Sequence, residues 1–239
     1  MATSESGEPS GPRSAGMAAL LRDRLAAARL CVLMDGGRDA ASFTRLLESL
    51  VEAGVGMIQI RDKALPVPLL VGRVRAALEI VRRSGAATLP LVVVNDRVDV
   101  AAALAADGAH VGADDLPVSL TRRVIGVGPL VGRTAHDVAE AHAAVADGAD
   151  YLGIGPCFPS TTKAFEAHAP AEFLRTVSQE IAVPTFAIGG ISVERLESLV
   201  ALGVTRVAVA SAVIRAADPP RAARELIDTL ARLTAANPA

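Results

Sequence analysis

The 239-residue sequence has no tryptophan, one tyrosine and five phenylalanines, so aromatic residues make up only 3% of it. That scarcity excludes the aromatic-lined basic surfaces on which single-stranded bases stack. A charge excess is missing too: 24 Lys and Arg against 26 Asp and Glu leave a formal net charge of −2. Neither nucleic acid nor a membrane surface is the expected partner of such a chain. No apolar run reaches the roughly 18 residues that a membrane-spanning helix needs. Cys31 and Cys157 lie far apart without a CxxC pair, which excludes a disulfide scaffold and fits a reducing, cytoplasmic compartment. The opening "MATSESGEPSGPRSAG" is polar and acidic with no apolar h-region, so it reads as a disordered tail and not a signal peptide.

Lysine is nearly absent as well. Of the 24 basic residues only Lys63 and Lys163 are lysines; glutamine occurs only at Gln59 and Gln179, and asparagine only at Asn95 and Asn237. A codon bias with two stray lysines would explain this. A compact ammonium, needed where a planar guanidinium does not substitute, would explain it too.

What is present is a repeat. Short apolar runs, such as "RLCVLMD", "LPLVVVND" and "VPTFAIGG", alternate with amphipathic segments, several closing on a glycine such as Gly54, Gly108, Gly148 or Gly203. About eight strand-helix units without a composition shift predict a single-domain (β/α)8 barrel over 17–235, with tails at 1–16 and 236–239. An open doubly wound sheet competes, but "VLMDGGRD" after the first strand lacks the GxGxxG pattern of dinucleotide binding.

A barrel collects residues from the C-terminal ends of its strands into one site. "GMIQIRDK" then stops being odd: Gln59, Arg61 and Lys63 share one face of strand two and can face the barrel mouth. Asn95 and Asp96 end strand three, Asp114 and Asp115 follow strand four, and Thr134 and His136 end strand five. "PSTTK" follows strand six, Gly189 and Gly190 end strand seven, and Ala210 and Ser211 end strand eight. Glycines there let backbone N–H groups approach a phosphate. Arg61, Lys63 and Lys163 are more cations than one monophosphate needs. Asp96 and Asp115, without clustered Cys or His, suit Mg²⁺ shared with a diphosphate. Alternatively, "NDRVD" is a helix start, with Asp96 or Asp99 stabilising exposed amides.

Taken in order, "IQIRDK", "VVNDRVDVAAALAADGAHVGADDLP", "GRTAH", "YLGIGPCFPSTTK", "AIGGI" and "VAVASAV" resemble the motifs of the thiamine-phosphate synthase family, from about Leu30 to Ile214. The resemblance implies a (β/α)8 transferase that joins a hydroxymethylpyrimidine diphosphate to a thiazole phosphate, giving thiamine phosphate and diphosphate. It further implies that Gln59, Arg61, Lys63, Asn95, Thr134 and Lys163 hold the pyrimidine diphosphate, with Lys163, Arg61 and Lys63 acting on the leaving group. Asp96 and Asp115 would bind Mg²⁺, while Ser160, Thr162, Gly190, Ala210 and Ser211 would hold the thiazole phosphate.

The chain departs from the family pattern at Ala113, usually Gln, at Met34, usually Thr, and at Thr134, usually Ser; the Gly expected after Lys163 is also missing. The sister thiazole tautomerases, which use a His near His136, and a non-catalytic precursor-binding barrel are rival readings. The first has no diphosphate to bind, and the second should have lost charged members of the set. Cys31 and Cys157 read as buried apolar residues, and His110 as packing near a strand end. His142, His168, Arg73, Arg75, Arg82 and Arg83 read as surface groups. Oligomeric state is not legible, and a homo-oligomer stays open.

Overall fold

The computed structural model describes residues 12–35, 37–86, 89–159 and 168–236. Eight parallel strands close into a barrel in sequence order: β1 (Leu30–Met34), β2 (Met57–Ile60), β3 (Leu91–Asn95), β4 (Gly108–Val111), β5 (Leu130–Ala135), β6 (Tyr151–Ile154), β7 (Thr185–Ile188) and β8 (Val207–Val209), with β8 paired back to β1. The (β/α)8 expectation holds. Between the strands run α2 (Ala40–Glu52), α3 (Val67–Arg83), α4 (Val98–Ala103), α5 (Val118–Ile125), α6 (Val138–Ala146), α7 (Ala171–Glu180) and α8 (Leu196–Val200). A short α9 (Ser211–Ile214) follows β8, and α10 (Pro219–Ala236) closes the chain.

Strand alternation splits the apolar residues into two cores. Val32, Ile58, Val92, Val94, Val131 and Leu152 point outward and pack beneath the helices. Leu33, Met57, Leu91, Val93, Leu130, Tyr151 and Phe186 point inward and fill the barrel. The outer core explains why the strands read as continuous apolar runs: both faces are covered.

The inner core extends into an element absent from the sequence reading. Helix α1 (Pro12–Ala27) precedes β1, and its Leu21 and Leu25, with Ala28, join the inner cluster and plug the N-terminal mouth. Arg24 fastens it, donating to the carbonyls of Leu89 (3.0 Å) and Pro90 (2.6 Å) and pairing with Asp107 at 3.1 Å. Residues 12–16 of the tail expected over 1–16 are thus helical, opening on Pro12, a residue that suits a first helical position, while 1–11 lie outside the described residues. At the other end, α10 runs one residue into the expected 236–239 tail.

Gly54, Gly148 and Gly203 end helices with positive φ, as expected. Gly108 does not. It opens β4, where a Cβ would lie 2.5 Å from the Leu130 carbonyl oxygen, and Ala105, at φ 50°, makes the left-handed turn after α4. Arg73 also departs from the surface reading. It stacks 4.5 Å over Phe43 and donates to the carbonyls of Arg38 and Asp39, while Arg75, Arg82 and Arg83 stay exposed.

At the top of the inner core sit two polar rings. His110 Nδ1 lies 3.2 Å from the Tyr151 hydroxyl and Nε2 lies 2.9 Å from Thr134 Oγ1. Tyr151 occupies the space beside Gly132, where a Cβ would come within 2.5 Å of the ring. Burial lowers the His110 pKa to about 4, so the ring is neutral at physiological pH.

Two outcomes follow. The unfolded chain takes up a proton on His110 near pH 6.5 but the native protein only near pH 4, so stability falls as pH drops through that window, by roughly 3 kcal/mol for this group. In urea titrations from pH 7 to 4, His110→Gln should lose that share of the slope; an unchanged slope would refute the assignment. Gly132→Ala should lower unfolding free energy by about 1–3 kcal/mol through overpacking against Tyr151, and an unaltered urea midpoint would contradict it.

Candidate active site

The C-terminal ends of the strands enclose two cavities that share a wall. The smaller, about 230 Å³, lies over β2 to β5 and is lined by Gln59, Asn95, Asp96, His110, Asp115 and Thr134 among others. The larger, about 800 Å³, lies over β7 and β8 and is lined by Gly190, Ser192, Ala210 and Ser211 among others. Arg61 and Lys63 line both and stand at the junction.

Strand β2 supplies the junction. Gln59 points into the barrel beside the Tyr151 hydroxyl and is nearly fully buried. Regular pairing ends at Ile60, but the Arg61 N–H still bonds the Met34 carbonyl at 2.9 Å, which fixes where its side chain leaves the sheet. Lys63 lies past the strand in a bend and reaches Asp96 at 3.2 Å.

Asp96 sits at φ 60°, a left-handed conformation that Asp tolerates better than most residues. Its N–H bonds the His110 carbonyl at 2.8 Å, so the kink is tied to β4. It does not cap α4, whose N-cap is Arg97, and Asp99 pairs with Arg97; the helix-start alternative therefore fails for Asp96. Its carboxyl instead meets that of Asp115. Burial first, and the neighbouring Asp115 second, raise the Asp96 pKa above the usual carboxylate range, while Lys63 opposes them. Asp115 is itself held, one oxygen accepting from the Gly112 N–H at 2.7 Å. Arg133, on the outer side of β5, donates to the Gly112 carbonyl at 2.5 Å and braces that turn.

Two facing carboxylates that cannot both ionise without cost are a donor set for a hard cation. Among the described residues no three His, Cys, Asp or Glu side chains gather into a metal site. A pair alone fits Mg²⁺, which takes one or two carboxylates and draws its other ligands from water and substrate phosphates.

Glycine shapes the phosphate side. Gly189 and Gly190 have φ of 98° and 62°, and a Cβ on Gly190 would lie 2.7 Å from the Phe158 carbonyl oxygen. The loop leaving β6 packs directly on this turn, with the Cys157 N–H bonding the Ile188 carbonyl at 2.9 Å and the Phe158 N–H bonding Gly189 at 3.1 Å. Ala210 and Ser211 follow β8 at the start of α9.

Of the expected residues, Gln59, Arg61, Lys63, Asn95, Asp96, Asp115 and Thr134 line the smaller cavity, and Gly190, Ala210 and Ser211 the larger. Ser160, Thr162 and Lys163 lie outside the described residues. The sequence reading missed His110 as a lining residue of the smaller cavity and Tyr151 as its support in the barrel core. Their signals were modest: His110 shares the inward period of Gly108 in β4, and Tyr151 is the only tyrosine in the sequence. His136 lines the smaller cavity, its Nδ1–H donating to the Gly155 carbonyl at 2.7 Å. His142 pairs with Glu180 on the surface and His168 is exposed, as expected. Both cysteines are buried, which pushes each thiol up to about 12 and rules out a thiolate nucleophile.

Residues 30–213 match the family model described as thiamine monophosphate synthase. A thiamine-phosphate synthase of Chloroflexus aurantiacus is 42% identical over 201 residues, covering 83% of this chain and 90% of that protein. One of Gloeobacter violaceus is 40% identical over 215 residues, 89% of this chain, which spans only 60% of that relative's length. Among solved structures, a thiamine phosphate pyrophosphorylase of Pyrococcus furiosus superposes with a TM-score of 0.76 at 30% identity, covering 89% of this chain and 98% of that one. A barrel whose polar residues meet in two chambers at Arg61 and Lys63, matched over most of its length by these proteins, belongs to the thiamine monophosphate synthase family.

Proposed function

We propose that the protein joins 4-amino-2-methyl-5-(diphosphomethyl)pyrimidine to a thiazole phosphate, forming thiamine phosphate and releasing diphosphate in a Mg²⁺-dependent reaction. The observation that carries the reading is the junction. Arg61 and Lys63 line a cavity with a facing carboxylate pair on one side and a glycine-turned cavity on the other. A diphosphate on the first side and a phosphate on the second would bring two substrates together at the same pair of cations.

The roles of the described residues are argued from where they stand, and those of Ser160, Thr162 and Lys163, which lie outside the described residues, from the family motif "PSTTK" that they form. Asp96 and Asp115 would hold Mg²⁺, which when bound supplies positive charge to the departing diphosphate. Arg61, Lys63 and Lys163 add to that stabilisation as negative charge grows on the leaving oxygen. Lys63 would exchange its present partner, Asp96, for the diphosphate. Gln59, Asn95 and Thr134 orient the pyrimidine. Ser160, Thr162, Gly190, Ala210 and Ser211 receive the thiazole phosphate.

In the reaction the methylene carbon–oxygen bond breaks, its electron pair leaving with diphosphate. The thiazole nitrogen lone pair then forms the new carbon–nitrogen bond, so no proton needs to move. The chain's task is orientation and charge stabilisation, without a covalent nucleophile. A neutral His110 suits this chemistry: an imidazolium in the smaller cavity would repel the positive charge that the aminopyrimidine methylene develops. The buried, unpaired cysteines are consistent with a cytoplasmic enzyme.

Purified protein given both phosphorylated precursors should form thiamine phosphate with Mg²⁺ and none with a chelator. No product from a folded protein that still binds thiazole phosphate would move the assignment to a tautomerase or a non-catalytic barrel. Asp115→Asn and Lys163→Ala should each lower turnover by about 10²-fold or more with an unchanged circular dichroism spectrum. Near-normal rates in both would remove the metal and diphosphate roles.

A further inference from the structure

Two cations of the larger cavity, Arg195 and Arg215, have no part in the roles above, and Arg195 is bonded to the backbone of the glycine turn itself. Arg195 sits at the end of the short 3-10 turn Val193–Arg195 that follows the Gly189–Gly190 turn, and it lines the cavity with Gly190, Ile191 and Ser192. Its guanidinium is engaged twice. Nη1 donates to the Gly190 carbonyl, and the guanidinium carbon lies 4.8 Å from the centre of the Phe158 ring. Phe158 belongs to the loop leaving β6, and Gly190 to the turn leaving β7. Arg195 is therefore a clamp across the two segments whose backbones already touch at Gly189 and Phe158.

The clamp fixes an orientation. A peptide unit is planar and trans, so its carbonyl and its N–H point in opposite directions. Holding the Gly190 carbonyl on Arg195 thus sets the direction of the Ile191 N–H. That N–H, like those of Gly190 and Ser192, bonds no partner among the described residues. Gly190, at φ 62° and without a side chain, has the freedom to let this peptide rotate unless something holds it.

We propose that Arg195 is a positioning residue for the phosphate end of the site. It presets the Gly190–Ser192 backbone N–H groups for an anionic ligand by pinning the Gly190 carbonyl and stacking on Phe158, and does not itself act as the anion's charge partner. The inference rests on the reading of the larger cavity as the thiazole phosphate subsite.

Steady-state kinetics of four variants test it. Arg195→Met and Phe158→Leu should each raise KM for the thiazole phosphate by about tenfold, the size expected from losing one charge-assisted hydrogen bond or its support. KM for the pyrimidine diphosphate should stay within about twofold. The double variant should be little worse than Arg195→Met alone, because both changes release the same clamp. Arg195→Lys should stay impaired, since an ammonium keeps the charge but not the planar stacking. Recovery of the wild-type KM by Arg195→Lys would overturn the proposal in favour of a direct ionic contact. So would a double variant whose effect is the product of the singles, or an unchanged KM in Arg195→Met. Melting curves identify any variant that fails to fold, and Phe158→Leu tests the clamp without touching a charge. Should the wild type make no thiamine phosphate, the reading of the reaction falls. The same ordering of variants is then sought in the Kd for inorganic phosphate by calorimetry, and its absence there would overturn the clamp.

Discussion

Closure of the barrel is the constraint on which everything else depends. Once β8 pairs with β1, alternate side chains of eight strands share one enclosed cylinder, and its filling has to balance. Small residues make room for large ones. Gly108 lies against Leu130, Gly132 yields its volume to Tyr151, and Gly153 stands beside His110. Helix α1 fills the N-terminal mouth with Leu21 and Leu25, so the cylinder can open only at its C-terminal end. That is where Gln59, His110 and Thr134 form the floor of the smaller cavity.

Electrostatics at that open end are deliberately unbalanced. Asp96 and Asp115 face each other with Lys63 in partial compensation, and burial first, then Asp115, shifts Asp96 upward. Beneath them burial keeps His110 neutral, while both cysteines are held as inert thiols. The arrangement leaves cations and carboxylates at the rim and uncharged polar groups at the floor. In the proposed reaction the first serve the leaving diphosphate and the second the pyrimidine, a division suited to a transfer that needs no acid, base or nucleophile.

Much of this was legible in the sequence, for physical reasons. Strands covered on both faces are apolar throughout, so their eightfold recurrence announced the barrel. Gln59, Lys63 and Asn95, drawn from residue types that are scarce in the sequence, stood out at strand ends. Other features escaped because their causes are three-dimensional. Leu21 and Leu25 look like any helix face until the barrel mouth they fill is known. Gly108 was read as a helix end because a glycine needed for close strand contact carries the same letter as one needed for a positive φ. His110 and Tyr151 lie 41 residues apart, and only the curvature of the sheet brings them together. Arg73 and Arg195 were indistinguishable from surface arginines until the rings of Phe43 and Phe158 appeared beneath them.

The central claim is that one site holds a metal-bound diphosphate between Asp96, Asp115 and Lys63. The most direct measurement is a crystal structure with Mn²⁺, as an anomalous scatterer standing in for Mg²⁺, and inorganic diphosphate. The account predicts an anomalous peak between the Asp96 and Asp115 carboxylates, with the diphosphate bridging it to Arg61 and Lys63. A peak elsewhere, or diphosphate seated on the Gly190–Ser211 side with the carboxylate pair bare, would contradict it.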